Sequence, residues 1–394
     1  MKLLRITTVP ISLHLLLTGQ LRYMVDRGFE VFTISADGHE VEEVLKEGVH
    51  HIPVPFTRKI TVFHDLRCLV MLVRIIRKIK PDIIHTHTPK AGLLGMLAGW
   101  ICRVPVRMHT VAGLPLMETS GFRRRVLNTT ERITYACAQH VYPNSRGLAE
   151  FIAHDLGANG NKVKMIGKGS SNGIDTFYFS RGPGLEVEAT ALRIRYGITP
   201  DDVVFSFVGR IVKDKGIVEL ISAFKSLADE LANKSAEGGV QARIFLMLVG
   251  PFEQNLDPLP ADLVTFIDTD PRIIHAGFQD DVRPWIMASD IFVFPSYREG
   301  FPNVVMQACL LEVPCIVSDI NGCNEIITNG VTGLIVPPKD VDALVHAMRF
   351  LMMDAPQRLT YASAARDFVA INFDRRLVWR ELYGEYERLL VRRK

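Results

Sequence analysis

Nothing in this chain of 394 residues is long and apolar enough to cross a bilayer. Beyond the amino terminus the longest uncharged apolar stretch, Ala91–Cys102, falls well short of the ~20 residues a spanning helix needs. The opening MKLLRITTVPISLHLLLTGQ imitates a secretory leader, with Lys2 and Arg5 ahead of apolar residues. Pro10 and His14 interrupt the run, however, and no small-residue cleavage site follows. It reads instead as a buried strand, Leu3–Thr8, leading into a loop and a helix. Cysteine is scarce too. Six residues (Cys68, Cys102, Cys137, Cys309, Cys315 and Cys323) form no C-x-x-C pair and no zinc spacing, so they read as free buried thiols in a reducing compartment. A net charge of +3 is too small to indicate nucleic-acid binding. No P-loop, G-x-S-x-G, repeat or low-complexity segment occurs.

What the chain has is alternation. Leu3–Thr8, Glu30–Ser35, Ile83–His85, Val106–Val111, His140–Pro143 and Val163–Ile166 each resemble a strand buried on both faces. Amphipathic stretches such as Leu15–Arg27, Leu66–Lys80 and Val126–Ala138 lie between them. That pattern implies βαβ units and a parallel sheet. It breaks at GSSNGIDTFYFSRGPG (169–184). It then restarts at Val203–Val208 and continues through Ile244–Val249, Ile273–His275, Ile291–Pro295, Cys315–Ser318 and Gly333–Val336. The expected fold class is therefore α/β: two doubly wound, Rossmann-like domains, residues 1–171 and 172–372, facing across a cleft. A last helix, Arg375–Leu390 within 373–394, has no following strand and is expected to pack back on the first domain. Ligands of open α/β sheets bind at the carboxyl ends of the strands.

Two constellations fall at such ends. In FVGRIVKDKG, Arg210 and Lys215 follow the strand Val203–Val208 and its Gly209, where two cations can neutralise a diphosphate. In SYREGFPNVVMQA, Glu299 lies past the strand end, on the expected cleft rim, and a helix begins near Asn303 whose free N–H groups suit an anion. Gly300 allows close backbone approach, and Pro302 suits the turn before a helix. Gln307 stands one turn along, on the face of residues 303 and 304. A carboxylate and an amide there can grip hydroxyls; the alternative is that Glu299 caps the helix and Gln307 is merely solvated.

These segments, with GVTGLIVPPKD, resemble the signatures of retaining GT-B glycosyltransferases of the glycosyl transferases group 1 type. PDIIHTHTPKAGLLG, VAGLP and SSNGIDTFYF resemble the bacterial branch that builds capsular, O-antigen or lipid-linked saccharides. The resemblance implies a hexosyltransferase-type enzyme taking a nucleotide-sugar donor, a UDP-sugar, to a lipid-linked or saccharide acceptor, without metal or cofactor. Glu299 would contact the transferred sugar, and Arg210 and Lys215 the diphosphate. Gly209, Gly300, Phe301, Pro302, Asn303 and Val304 would line the donor, and Gly277 and Phe278 of GFQDDV would lie beside the base. The family's second motif Glu, which holds the ribose, is Gln307 here. The family's His-Gly pair is Ala112-Gly113 here, leaving His109 or His87 as the sugar-side histidine, although a core role for His109 is the plainer reading. His85 and His87 flank Thr86 and are expected on opposite faces of their strand.

Several other signals are weaker. DTD (268–270) matches a metal-binding Asp-x-Asp but sits before Pro271, where a turn is expected. GKGSSNG (167–173) lacks dinucleotide spacing. Phe56–Lys80 is strongly basic and GFRRRVL (121–127) adds three arginines, so a basic amphipathic helix either lies on anionic lipid or packs on the sheet with a solvated edge. The expected setting is the cytoplasm, with peripheral association with the inner membrane and no nucleic-acid partner. A nucleotide-sugar epimerase or hydrolase of the same fold, and a binding subunit with weak turnover, are the alternatives.

Overall fold

The structure is a computed structural model that describes residues 1–59, 61–114, 121–158, 160–236, 243–253 and 257–391. The chain divides into two compact units. One comprises Met1–Gly173 with Arg375–Lys394, and the other Ile174–Asp374.

The first unit is a six-stranded parallel sheet of β1 (Lys2–Ile6), β2 (Glu30–Ser35), β3 (His50–Pro53), β4 (Ile83–Thr86), β5 (Val106–Val111) and β6 (His140–Pro143), in the order β3-β2-β1-β4-β5-β6. The second repeats the plan with β7 (Val203–Val208), β8 (Ile244–Val249), β9 (Ile273–Gly277), β10 (Ile291–Phe294), β11 (Cys315–Ser318) and β12 (Gly333–Val336), ordered β12-β11-β10-β7-β8-β9. Helices on both faces let strands such as β8, IFLMLV, be buried at every position. Both are Rossmann-like doubly wound sheets. In the second, the strand order reverses between β7 and β10, so the chain diverges there and leaves the carboxyl ends of these two neighbours open to a ligand.

The structure departs from the sequence reading at three places. Val163–Ile166 is not a strand: Val163 makes a single isolated bridge to Val141, and Lys164 turns outward to Glu385. The sixth strand is β3, HHIP, an edge strand whose polar residues show no apolar run. The expected helix Leu15–Arg27 is two helices, Pro10–Leu17 and Gln20–Asp26. Gly19 breaks them at φ +77, and a Cβ there would lie 2.6 Å from the Trp379 ring.

Trp379 belongs to the last helix, Arg375–Val391, which packs on the first unit. Leu382, Tyr386 and Leu389 join Leu3, Leu21, Val31 and Tyr142 in one core. A polar clasp fixes it. Glu385 accepts from Tyr142 Oη (2.6 Å) and from Arg388 Nε (2.6 Å), with Lys164 Nζ at 3.3 Å. Burial pushes the Glu385 pKa up, but the hydrogen bonds from Arg388 and Tyr142 and the charge of Lys164 outweigh it and hold the group at about 2.

Candidate active site

β7 and β10 are parallel neighbours, with Ile291 opposite Phe205 and Phe292 opposite Ser206, so the loops leaving their carboxyl ends emerge side by side. From β7 the chain passes through Gly209 and Arg210 into a single 3-10 turn, Lys213–Lys215, and then the helix Ile217–Ala236. From β10 it passes through residues 295–302 into the helix Asn303–Leu310.

The two loops are bonded together. Tyr297 N donates to Asp214 O (2.9 Å), Arg298 Nη2 to Asp214 Oδ2 (3.1 Å), and the Tyr297 hydroxyl to the Glu219 carboxylate (2.7 Å). Gly216 adopts φ +71, and its missing side chain is what lets the loops close, because a Cβ would lie 2.0 Å from Pro295 O. The result is an ion pair between residues 84 apart: Lys215 Nζ meets Glu299 Oε1, which also accepts from Ser296 Oγ at 3.0 Å. Both partners are mostly enclosed, with side chains 15% and 17% exposed.

Glu299 therefore does not cap the helix, whose amino end has Pro302 at its cap position and no side-chain cap. Its first N–H groups stay available to an acceptor from outside. Arg210 is more open and pairs with Glu253 (3.2 Å), a partner 43 residues away that no local pattern announces. Gln307 is half-buried, and among the described residues its enclosed Oε1 has no hydrogen-bond partner. Phe301 turns inward onto Phe373, ring centroids 5.1 Å apart, and Val304 packs against the same core, so these two offer a ligand mainly backbone. Pro302 is buried and Asn303 exposed. Gly277 ends β9 and accepts from Gly250 N (2.8 Å), while the Phe278 ring beyond it is 72% exposed.

Three histidines of the first unit, His85, His87 and His109, are core residues. His109 is 2% exposed, its Nδ1 is 2.8 Å from Thr86 Oγ1, and Gly92 leaves room for its ring; burial lowers its pKa to about 4. His85 and His87 share one face rather than opposite ones, their rings 4.5 Å apart, as residues two apart on a strand must. His87 Nε2 accepts from Arg5 (2.8 Å). Arg5 also donates to Tyr386 Oη (3.0 Å), which donates in turn to His85 Nδ1 (2.6 Å). Burial, then the Arg5 charge, holds both rings well below the usual histidine range, so they stay neutral. Gly113 is half-buried just past β5, and Pro115 of the VAGLP motif lies outside the described residues.

Asp268 and Thr269 end the helix Ala261–Thr269 rather than forming a loop, and Asp270 is bound through both oxygens by Arg272 (2.9 and 2.6 Å). Among the described residues no three His, Cys, Asp or Glu side chains come together as a metal site, and all six cysteines are free.

Residues 189–368 match the model of the family "Glycosyl transferases group 1", and residues 17–169 that of "Glycosyl transferase 4-like domain". The chain is 33% identical over 390 residues to the capsular polysaccharide biosynthesis glycosyltransferase CapM of Staphylococcus aureus, covering 99% of this chain and 97% of that one. It is 27% identical over 322 residues to the UDP-Gal:alpha-D-GlcNAc-diphosphoundecaprenol alpha-1,3-galactosyltransferase of Escherichia coli, covering 81% and 79%. Its fold matches the crystal structure of Anabaena Alr3699/HepE in complex with UDP, with a TM-score of 0.77 at 20% identity over 98% of this chain and 100% of that one. Full-length likeness to CapM, with two family models placed on the two sheets, makes this chain a GT-B glycosyltransferase that belongs to the glycosyl transferases group 1 family.

Proposed function

We propose that the protein transfers a sugar, with retention and without metal, from a UDP-sugar to a lipid-linked or saccharide acceptor in surface polysaccharide synthesis. The observation that carries this reading is the meeting of Lys215, Glu299 and the uncapped Asn303–Leu310 helix where β7 and β10 diverge. The E. coli relative is named for a UDP-sugar donor and a diphosphoundecaprenol acceptor, which supports the substrate class.

In this mechanism the helix amino end, Arg210 and Lys215 take the diphosphate and stabilise the charge that grows as the bond from the sugar carbon to phosphate breaks. The acceptor hydroxyl attacks from the face the phosphate leaves, and its proton passes to the leaving phosphate, so no protein nucleophile is required. Glu299 orients the sugar hydroxyls. Gln307 holds the ribose through its enclosed amide, and the Gly277–Phe278 turn borders the base. The donor must compete with ion pairs already present: Glu253 holds Arg210, and Glu299 holds Lys215.

A charge-assisted contact is worth about 1.5–3 kcal/mol, so Arg210→Ala is expected to weaken UDP binding by roughly 10- to 150-fold in calorimetry run in excess chelator. Unchanged UDP affinity in the folded variant, or binding by the parent only when manganese is restored, would overturn the assignment.

Membrane association is the second part of the proposal. Among the described residues no helix is long and apolar enough to cross a bilayer. Charge is nevertheless split between the units. The first carries 30 Lys and Arg against 16 Asp and Glu, and the second 16 against 27. The helix Val62–Ile79 buries Cys68, Leu72, Ile76 and Ile79, yet exposes a second apolar strip, Phe63 (91%), Leu66 (58%) and Val70 (44%), among exposed Arg67, Arg74 and Arg77. That combination suits the interface of an anionic bilayer. Each basic residue near such a surface is worth about 1 kcal/mol, so the double variant Arg67→Ala, Arg74→Ala is expected to lower affinity for phosphatidylglycerol vesicles roughly 30-fold. Equal flotation of parent and variant would discount this surface.

A further inference from the structure

The loop that leaves β7 is sewn to the loop that leaves β8. Gly209 N donates to Val249 O (2.9 Å), Ile211 N to Pro251 O (2.9 Å) and Lys213 N to Asp257 O (3.1 Å). Ile211 also pairs with Phe252 as a parallel bridge beyond the ends of both strands. Gly250 permits the approach, because a Cβ there would lie 1.9 Å from Gly209 O. On the far side the Phe252 ring meets that of His275 edge-on, centroids 4.5 Å apart, and His275 Nε2 lies 3.1 Å from Gly250 O. The residues next to this bridge, Arg210 and Glu253, are therefore brought side by side by the backbone. Their ion pair at 3.2 Å is built into the loops and is not a chance meeting of two long surface side chains.

Three ion pairs stand at the carboxyl ends of β7, β8 and β10, and their carboxylates have different work. Asp214 takes Arg298 (3.1 Å) and ties the two loops together. Glu299 takes Lys215, accepts from Ser296 Oγ and is assigned above to the sugar. Glu253 has neither task. Among the described residues its carboxylate meets Arg210 and no other group. Both partners are about one third exposed, at 37% and 34%, so water can take over either end when the pair opens. An open pair of this kind is weak, whereas a diphosphate offers the guanidinium several charged oxygens in a planar fork. The diphosphate wins the exchange, but it must first dislodge Glu253.

We propose that Glu253 is a positioning residue for Arg210, a resting counter-ion that the donor diphosphate displaces and that reclaims the guanidinium when UDP departs. This deepens the glycosyl-transfer reading above and rests on its assignment of Arg210 to the diphosphate. The carboxylate sets how tightly the site keeps its nucleotide, and it does so only through Arg210.

The test is a double-mutant cycle on the full chain, with UDP as the probe in calorimetry. Glu253→Gln is nearly isosteric and is expected to tighten UDP binding about two- to fivefold, the worth of an exposed ion pair that no longer has to be broken. The same change made in the Arg210→Ala background should alter UDP affinity by less than 1.5-fold, because the competition has no object there. Equal tightening in both backgrounds would overturn the proposal and show general repulsion between Glu253 and the diphosphate. Unchanged or weakened binding in Glu253→Gln would overturn it too, leaving the carboxylate as a prop that steadies the arginine. If Glu253→Gln does not fold, Glu253→Ser is read by the same criteria. Arg210→Ala with parental UDP affinity would instead overturn the donor reading, a separate result.

Discussion

Glu299→Gln is expected to lower kcat at least 100-fold while UDP binds as well as, or up to about 10-fold better than, in the parent. The two halves of this expectation have one cause. Glu299 shares Lys215, so removing its charge frees the ammonium for the diphosphate, and product affinity holds or rises. The sugar, however, loses a charge-assisted bond worth about 1.5–3 kcal/mol, together with the placement of its reacting carbon. Helix capping does not account for the residue, because no side chain caps the Asn303–Leu310 helix. Steady-state kinetics with donor varied, alongside UDP calorimetry, separates the effects. A variant that turns over like the parent would show Glu299 to be a partner for Lys215 and Ser296 and nothing more.

Gly216→Ala is expected to be among the most damaging single-methyl changes in the second unit, costing about 4 kcal/mol or more. A left-handed backbone costs a non-glycine residue about 1–2 kcal/mol. That penalty alone applies at Gly157, where φ is +65 and nothing lies within 4 Å of an added Cβ. At Gly216 the same Cβ would sit 2.0 Å from Pro295 O, a backbone atom that moves only if the β10 loop moves. The loops would then separate, and Lys215 would lose its register with Glu299. Urea denaturation of Gly216→Ala beside Gly157→Ala isolates the steric part. Equal midpoints for the two variants would show that the loops are not held as tightly as described.

The contrast between what the sequence disclosed and what it withheld follows from the range of the interactions. Strands such as β7, β8 and β11 are buried on both faces and announce themselves as unbroken apolar runs. The edge strand β3, with one side unpaired and residues HHIP, carries no such run, whereas Val163–Ile166 carries a partial one and pairs only once. The cationic loop after β7 and the helix start after β10 were legible because each is local. Their union was not, since it depends on β10 lying beside β7 across the sheet. The error over His85 and His87 was one of periodicity, because spacing of two keeps side chains together on a strand. Glu253 drew no notice because the loop after β8 carries no pattern of its own; only the joining of that loop to the one after β7 shows what it faces.

The first unit is assembled from both ends of the chain, which has a consequence for the order in which the protein comes into being. During synthesis residues 1–173 emerge first, yet the core around Leu3, Val31 and Tyr142 stays open on one side until Leu382, Tyr386 and Leu389 are made. At ribosomal rates of about 5–20 residues per second, the intervening Ile174–Asp374 imposes a wait of roughly 10–40 s. That contiguous unit can fold to completion in the interval. The half of the enzyme that is translated first is thus the half finished last, and through that delay the nascent chain presents an apolar seam and an uncovered Arg5 to whatever chaperones attend it.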